Sequence, residues 1–158
     1  IGKKHVMEVA QETFISSTYW TERIGPAAAL ATIQKIEKRN VSRHLIETGK
    51  VVQEGWQDAA SRCGLKIEVG GIYPLSHFAF KYEEPLILKT LFTQLMLERG
   101  FLATTAFYAS YAHKKQHTNK YLLAVNDVFH VMSKAIKRGH PERYLKGPVC
   151  HSGFKRLT

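Results

Sequence analysis

The residues best placed to do chemistry are crowded into one stretch, Phe14 to Leu30. Ser16, Ser17, Thr18 and Thr21 supply hydroxyls, Glu22 and Arg23 put opposite charges side by side, and Gly25-Pro26 leads into alanines at 27, 28, 29 and 31. Pro26 is placed to open a helix, because its missing N–H is not needed in the first turn and its fixed φ suits that turn. A hydroxyl-rich turn that feeds a helix N-terminus is suited to anions, since unpaired N–H groups and the helix dipole converge there. The same residues also serve plain architecture. Thr21 and Gly25 can cap the helix, and caps far outnumber ligand sites.

Elsewhere the chemistry is sparser. His113 and His117 stand at a spacing that binds metal when both lie on one helical face. They straddle an expected strand end and helix cap, with no carboxylate between or just beyond them, so no metal is expected. Ser16, Ser17, Ser76, Ser110 and Ser133 lack a nucleophile-elbow context, and Cys63 reads as packing at a helix end. Tyr73, His77 and Tyr111 fall near strand ends, where core packing and active-site roles look alike. Lys3 and Lys4 could in principle carry a Schiff base, but beside His5 they read more simply as solvated. No catalytic residue emerges from the chain.

The elements that must hold these residues follow from periodicity. Residues 3–12 make a short helix. A helix from Pro26 to Lys38 carries its seam on Ala29, Leu30, Ile33 and Ile36, and a second from Val41 to Arg62 carries Val41, Leu45, Val52, Trp56, Ala59 and Cys63. Asn40 or Ser42 can cap the second helix, and Gly64 stands where a C-terminal glycine belongs. Leu65 to Val69 alternates with period two, Gly70-Gly71 turns, and a second strand centres on 77–81. Glu83-Glu84-Pro85 starts a helix with Leu88, Leu91, Phe92 and Leu95 on its buried stripe, ended by Gly100. Phe101 to Tyr111 should supply one short and one longer strand. Thr118 is expected to cap a last helix to Arg138, buried through Tyr121, Val125, Val128, Phe129 and Met132. The order predicts an α+β domain: a small mixed or antiparallel sheet with covering helices.

Composition narrows the class. At 158 residues, 44% apolar and 23% charged, the chain matches an ordinary globular protein with a core of its own. No apolar run is long enough to span a bilayer and no signal-peptide pattern opens the chain, so no membrane role is expected. Two cysteines make neither a disulfide framework nor a metal site, and a cytoplasmic setting is the simplest inference. The net charge of +10 is uneven, with ten Lys and Arg in 114–158 against only Asp127 and Glu142. A basic nucleic-acid-binding or assembly module without catalysis is therefore the alternative reading. No recognition motif accompanies the charge, and a solvated face accounts for it better.

The stretch 16–26 resembles the segment that follows the catalytic lysine in class III PLP-dependent aminotransferases, most closely the glutamate-1-semialdehyde 2,1-aminomutase-like branch. In that family a threonine shortly before the helix-opening proline binds the cofactor phosphate, typically that of the neighbouring subunit. The resemblance implies that role for Thr21, with Pro26 as the proline. Ile24-Gly25 stands where Gly-Asn is usual, which keeps Thr18 as a second candidate. Arg23 would grip a substrate carboxylate, or else pair with Glu22. The resemblance further implies a C-terminal fragment whose Schiff-base lysine precedes Ile1. Residues 1–25 would end the large cofactor-binding domain, 26–63 would connect, and 64–158 would form the small domain of a fold-type I PLP transferase and a basic tail. The implied protein is a homodimer that binds pyridoxal 5'-phosphate and acts on a small amino donor and acceptor of semialdehyde type. It would bind no nucleic acid.

Overall fold

A single left-handed residue separates the two long helices that open the fold. Asn40 has φ 46° and ψ 50°, and its N–H donates to the carbonyls of Ile36 and Glu37, which closes the helix before it. Asparagine enters this region more easily than most residues, so the helix stops here and a new one starts at Val41. The computed structural model describes residues 2–14 and 22–153. It divides at this point into two compact units, Ile1–Asn40 and Val41–Thr158.

The first unit holds α1 (Lys4–Glu8), continued by a 3-10 turn over Val9–Glu12, and α2 (Ile24–Arg39). No residue of α2 is buried. Its expected seam of Ala29, Leu30, Ile33 and Ile36 is exposed throughout.

The second unit contains the core. It comprises α3 (Val41–Cys63), β1 (Ile67–Gly70), β2 (Leu75–Phe80), α4 (Pro85–Glu98), β3 (Ala106–Tyr108), α5 (Lys115–Lys137) and a 3-10 turn at Pro141–Tyr144. The strands form an antiparallel sheet in the order β1-β2-β3, with Ile67 opposite Phe80 and Leu75 opposite Tyr108. In β2, Ser76, Phe78 and Phe80 point inward while Leu75, His77 and Ala79 point outward, as a half-covered sheet requires. Helices α3 and α4 pack on the inner face, and α5 packs against both of them, with its Phe129 ring reaching Phe78 of the sheet. Phe78 is the hub of the core: its ring meets those of Trp56, Phe80, Phe92 and Phe129 edge-on, at centroid distances of 4.9 to 5.8 Å. This geometry sets positive ring edges against negative faces. The architecture is α+β, as expected.

The α3 stripe is buried through Val41, Val52, Trp56, Ala59 and Cys63, with Leu45 half-buried. Gly49 joins it for a steric reason. A side chain there would run into the Tyr73 carbonyl, so only glycine lets the 71–74 turn close on α3. Gln53 reinforces the closure by donating to the Gly71 carbonyl at 3.1 Å and to Ser76 Oγ at 3.1 Å.

Two expectations need correction. Residues 101–111 supply one short strand rather than two. The Phe101 N–H is spent on the Met96 carbonyl and the Ala103 N–H on the Phe101 carbonyl, which leaves only Ala106–Tyr108 to pair with β2. Thr118 does not cap α5, which begins at Lys115 behind Lys114. Thr118 is buried inside the helix, its hydroxyl donating to the Lys115 carbonyl at 3.0 Å. No helix among the described residues is long and apolar enough to cross a membrane.

Candidate functional site

Helix α2 begins earlier than its proline suggests. Arg23 is the N-cap residue, with φ −99° and ψ −18°, and its carbonyl accepts the Ala27 N–H at 2.9 Å. Gly25 and Pro26 therefore lie inside the first turn, which corrects both the placement of Pro26 at the helix opening and the capping role of Gly25. Proline is tolerated there because first-turn N–H groups have no partner within the helix. Among the described residues no side chain caps this end, no acid lies in the first turn, and a Cβ on Gly25 would meet nothing within 4 Å. Arg23 is exposed and forms no ion pair with Glu22. First-turn N–H groups that have no intrahelical partner, a positive dipole end and a guanidinium make a donor set that suits a phosphate or a carboxylate. Thr18 and Thr21, with Tyr19 and Trp20 between them, lie outside the described residues.

The other candidate nucleophiles have structural duties. Ser76 is fully buried and donates to the Tyr73 carbonyl at 2.8 Å; Ser133 donates to the Cys63 carbonyl at 2.7 Å. Cys63 is buried, and burial pushes its thiol pKa up, against a smaller opposing pull from Arg62 and Lys137. A protonated thiol in that setting is inert. Lys4 reaches Glu8 at 3.9 Å on an exposed helix face.

The histidine pair behaves differently. His113 lies in the turn after β3, and its Nδ1 accepts the Ser110 N–H at 3.0 Å. His117 lies in the first turn of α5, and its Nδ1 accepts the Lys114 N–H at 3.1 Å, the service that Glu or Gln renders in a capping box. Both rings line a groove of about 440 Å³ formed by residues 101–108 and the start of α5. His113 packs against Phe107 at 5.0 Å, and Phe107 stacks on Tyr121 at 5.8 Å. Beneath them the Trp56 indole donates to the Tyr121 hydroxyl at 2.9 Å, in the buried core. Burial raises the Tyr121 pKa well above that of an ordinary phenol. Burial also lowers the His113 pKa, with His117 and His44 adding to the effect. Among the described residues no group of three His, Cys, Asp or Glu could hold a metal.

The helical spacing of His113 and His117 was the only sequence signal for this groove. Its meaning was hidden because each ring is turned by a local backbone N–H that the sequence does not display.

No protein-family profile matches the chain. It is 25% identical over 122 residues to the 2'-deamino-2'-hydroxyneamine transaminase of Streptomyces kanamyceticus, a span covering 77% of this chain and 31% of that protein. Among solved structures it resembles the PLP internal aldimine form of the FumI protein of Sphingopyxis sp. MTA144. The TM-score is 0.76 at 19% sequence identity, over 90% of this chain and 35% of that one. The chain thus spans about a third of the length of the proteins it matches, and it has the fold of the corresponding part of FumI.

Proposed function

We propose that the chain is part of a PLP-dependent class III aminotransferase or aminomutase acting on a small amino/keto substrate of semialdehyde type, in which it helps to bind the cofactor phosphate and to close the substrate site. The observation that carries this reading is the fold match over 90% of the chain to a protein solved with PLP. The transaminase relative, found independently through sequence, points the same way.

PLP supplies an electron sink for the bond-breaking step at the substrate's amino-bearing carbon. This chain supplies binding and orientation. In the proposal the Thr21 hydroxyl donates to the phosphate, with Thr18 as the second candidate. The first turn of α2 adds N–H groups and its dipole to the same anion, which its open, acid-free start permits. Arg23, exposed at the N-cap, takes a substrate carboxylate in bidentate fashion. The lysine that holds the cofactor is placed outside these 158 residues. In the proposal the hydroxyl-rich stretch 16–25 serves the partner subunit of a homodimer, and aromatic residues with polar tips such as Tyr19 and Trp20 suit such an interface.

The test is PLP retention in the whole protein. Thr21→Ala should weaken it about tenfold or more, the worth of one hydrogen bond to a charged group, and Thr18→Ala should weaken it less. Release of PLP by Thr18→Ala but not by Thr21→Ala would reassign the phosphate contact. Full retention in both variants would remove the loop from the cofactor site.

A further inference from the structure

The groove beside β3 is furnished for a ligand, and its furnishings are one-sided. Its walls are apolar and largely aromatic, from Phe101, Phe107, Tyr108 and Tyr121, and its volume of about 440 Å³ falls in the range of small-molecule sites. Its polar equipment includes His113 and His117. With Nδ1 of each ring accepting a backbone N–H, the neutral imidazole carries its proton on Nε2. Each ring therefore has one donor left, and neither has an acceptor left. Burial depresses the His113 pKa, so that ring holds this neutral tautomer at neutral pH. The His117 Nε2 lies 3.4 Å from the Gln116 amide, at the edge of hydrogen-bond reach, which leaves His113 as the firmer donor. The Thr118 hydroxyl, also in the lining, spends its proton on the Lys115 carbonyl.

Charge adds direction. No carboxylate occurs in the sequence between Glu98 and Asp127, the whole span that builds the groove, whereas Lys114, Lys115 and Lys120 fall within it. Lys114 sits over the Tyr111 ring at 5.0 Å. No carboxylate lines the groove itself, and Glu47 of α3 lies in the adjoining depression together with Lys114 and Lys115. An anion would find two oriented N–H donors and a positive field.

We propose that this groove is a binding site for a small carboxylate with an apolar body, the carboxylate oxygens accepting from Nε2–H of His113 and His117 and the body lying against Phe107 and Tyr121. The proposal uses no residue between 15 and 25, so it stands or falls apart from the cofactor reading.

Three probes that share one body separate the possibilities: 4-phenylbutyrate, 4-phenylbutan-1-ol and 4-phenylbutylamine. Each is titrated into the 158-residue chain, and NMR follows the imidazole signals of His113 and His117 and the Trp56 indole N–H. The carboxylate should shift these signals saturably and bind about tenfold tighter than the alcohol, with the amine weakest. His117→Phe, which keeps the groove apolar, should cost the carboxylate severalfold and leave the alcohol unchanged. Phe107→Ala should weaken carboxylate and alcohol alike. The proposal is overturned if the amine binds as well as the carboxylate, if shifts saturate away from the two histidines, or if no probe saturates. Equal loss of carboxylate and alcohol in His117→Phe would overturn the donor assignment.

Discussion

Helices α2 and α3 follow one another in sequence, read alike, and end up in opposite circumstances. Both carry apolar residues at helical spacing. In α3 that stripe is the floor of the core, with Val52 and Trp56 at 0% exposure, while in α2 Leu30 and Ile33 remain 62% and 53% exposed. The two are stabilised by different means. α2 is rich in alanine, the best helix former, and its own backbone bonds carry it. α3 contains Gly49 and Gly55, which cost helix stability, and tertiary packing compensates. An apolar period therefore identifies a face that seeks cover and says nothing about where the cover lies.

The contrast breaks most visibly at Trp56. Trp56→Ala should destabilise the second unit by about 3–5 kcal/mol, through cavity formation and loss of the edge contact with Phe78, and it also strips Tyr121 of its indole partner. Urea unfolding followed by far-UV circular dichroism measures it. A loss below about 1 kcal/mol would mean that α3 is no better anchored than α2.

The two glycines of α3 give the next largest effect. At Gly49 an added methyl meets backbone, the Tyr73 carbonyl, and the turn must move; at Gly55 it meets the Leu122 side chain at 2.6 Å, which can rotate away. Gly49→Ala should cost about 1–3 kcal/mol as an overpacked site. At Gly55 the alanine gains helix propensity worth up to about 1 kcal/mol, and Gly55→Ala should come out near neutral. Equal costs at the two positions would show that the 71–74 turn yields as readily as a leucine.

Much of the packed unit was legible beforehand, and the reason lies in covered faces. The stripes of α4 and α5 are buried at every position that periodicity marked, and Gly64 ends α3 in the left-handed region. The misreadings share a local cause. Phe101 to Ala103 has the alternation of a strand, yet the Phe101 N–H closes the end of α4 and the Ala103 N–H turns back onto the Phe101 carbonyl, so neither joins a strand. Thr118 looks like a cap, but α5 has already started at Lys115 and the Thr118 hydroxyl donates back to the Lys115 carbonyl. Asn40, one of two candidate caps for α3 with Ser42, also closes α2 from the left-handed region, a role that periodicity does not display. At the candidate site, Arg23 emerged as the N-cap of α2, a place that the hydroxyls and Pro26 had drawn away from it. The expectations for Thr18 and Thr21 came from family resemblance, and both residues lie outside the described ones.

A smaller effect on the packed side depends on pH. Burial lowers the folded-state pKa of His113, with further lowering from His117 and His44, while Lys114 is the nearest lysine in sequence. The unfolded chain then binds the proton more readily than the folded one. The contribution is present above the unfolded value of about 6.5 and is lost as pH falls through it toward the lower folded value. Urea midpoints should decline modestly from pH 7.5 to 5.5, and His113→Gln should flatten that slope. An unchanged slope would assign the pH dependence to other groups.

The smallest effect should come from α2 itself. Ile33 stands in the middle of its stripe and is 53% exposed, so Ile33→Ser removes little packing from the described fold. Serine is a slightly weaker helix former than alanine but close to isoleucine, so propensity also changes little. The expected shift in unfolding free energy of the 158-residue chain is within about 0.5 kcal/mol, as for surface substitutions in general. Val52→Ser in α3, a comparable change at 0% exposure, serves as the control, because it opens a cavity and places a hydroxyl in an apolar core. Far-UV circular dichroism follows both, since α2 contributes its own helical signal. If Ile33→Ser costs about 2 kcal/mol, the stripe is covered in solution and α2 joins α3 among the packed helices. If it costs nothing while Val52→Ser unfolds the core, the stripe is a free face and the contrast between the two helices stands.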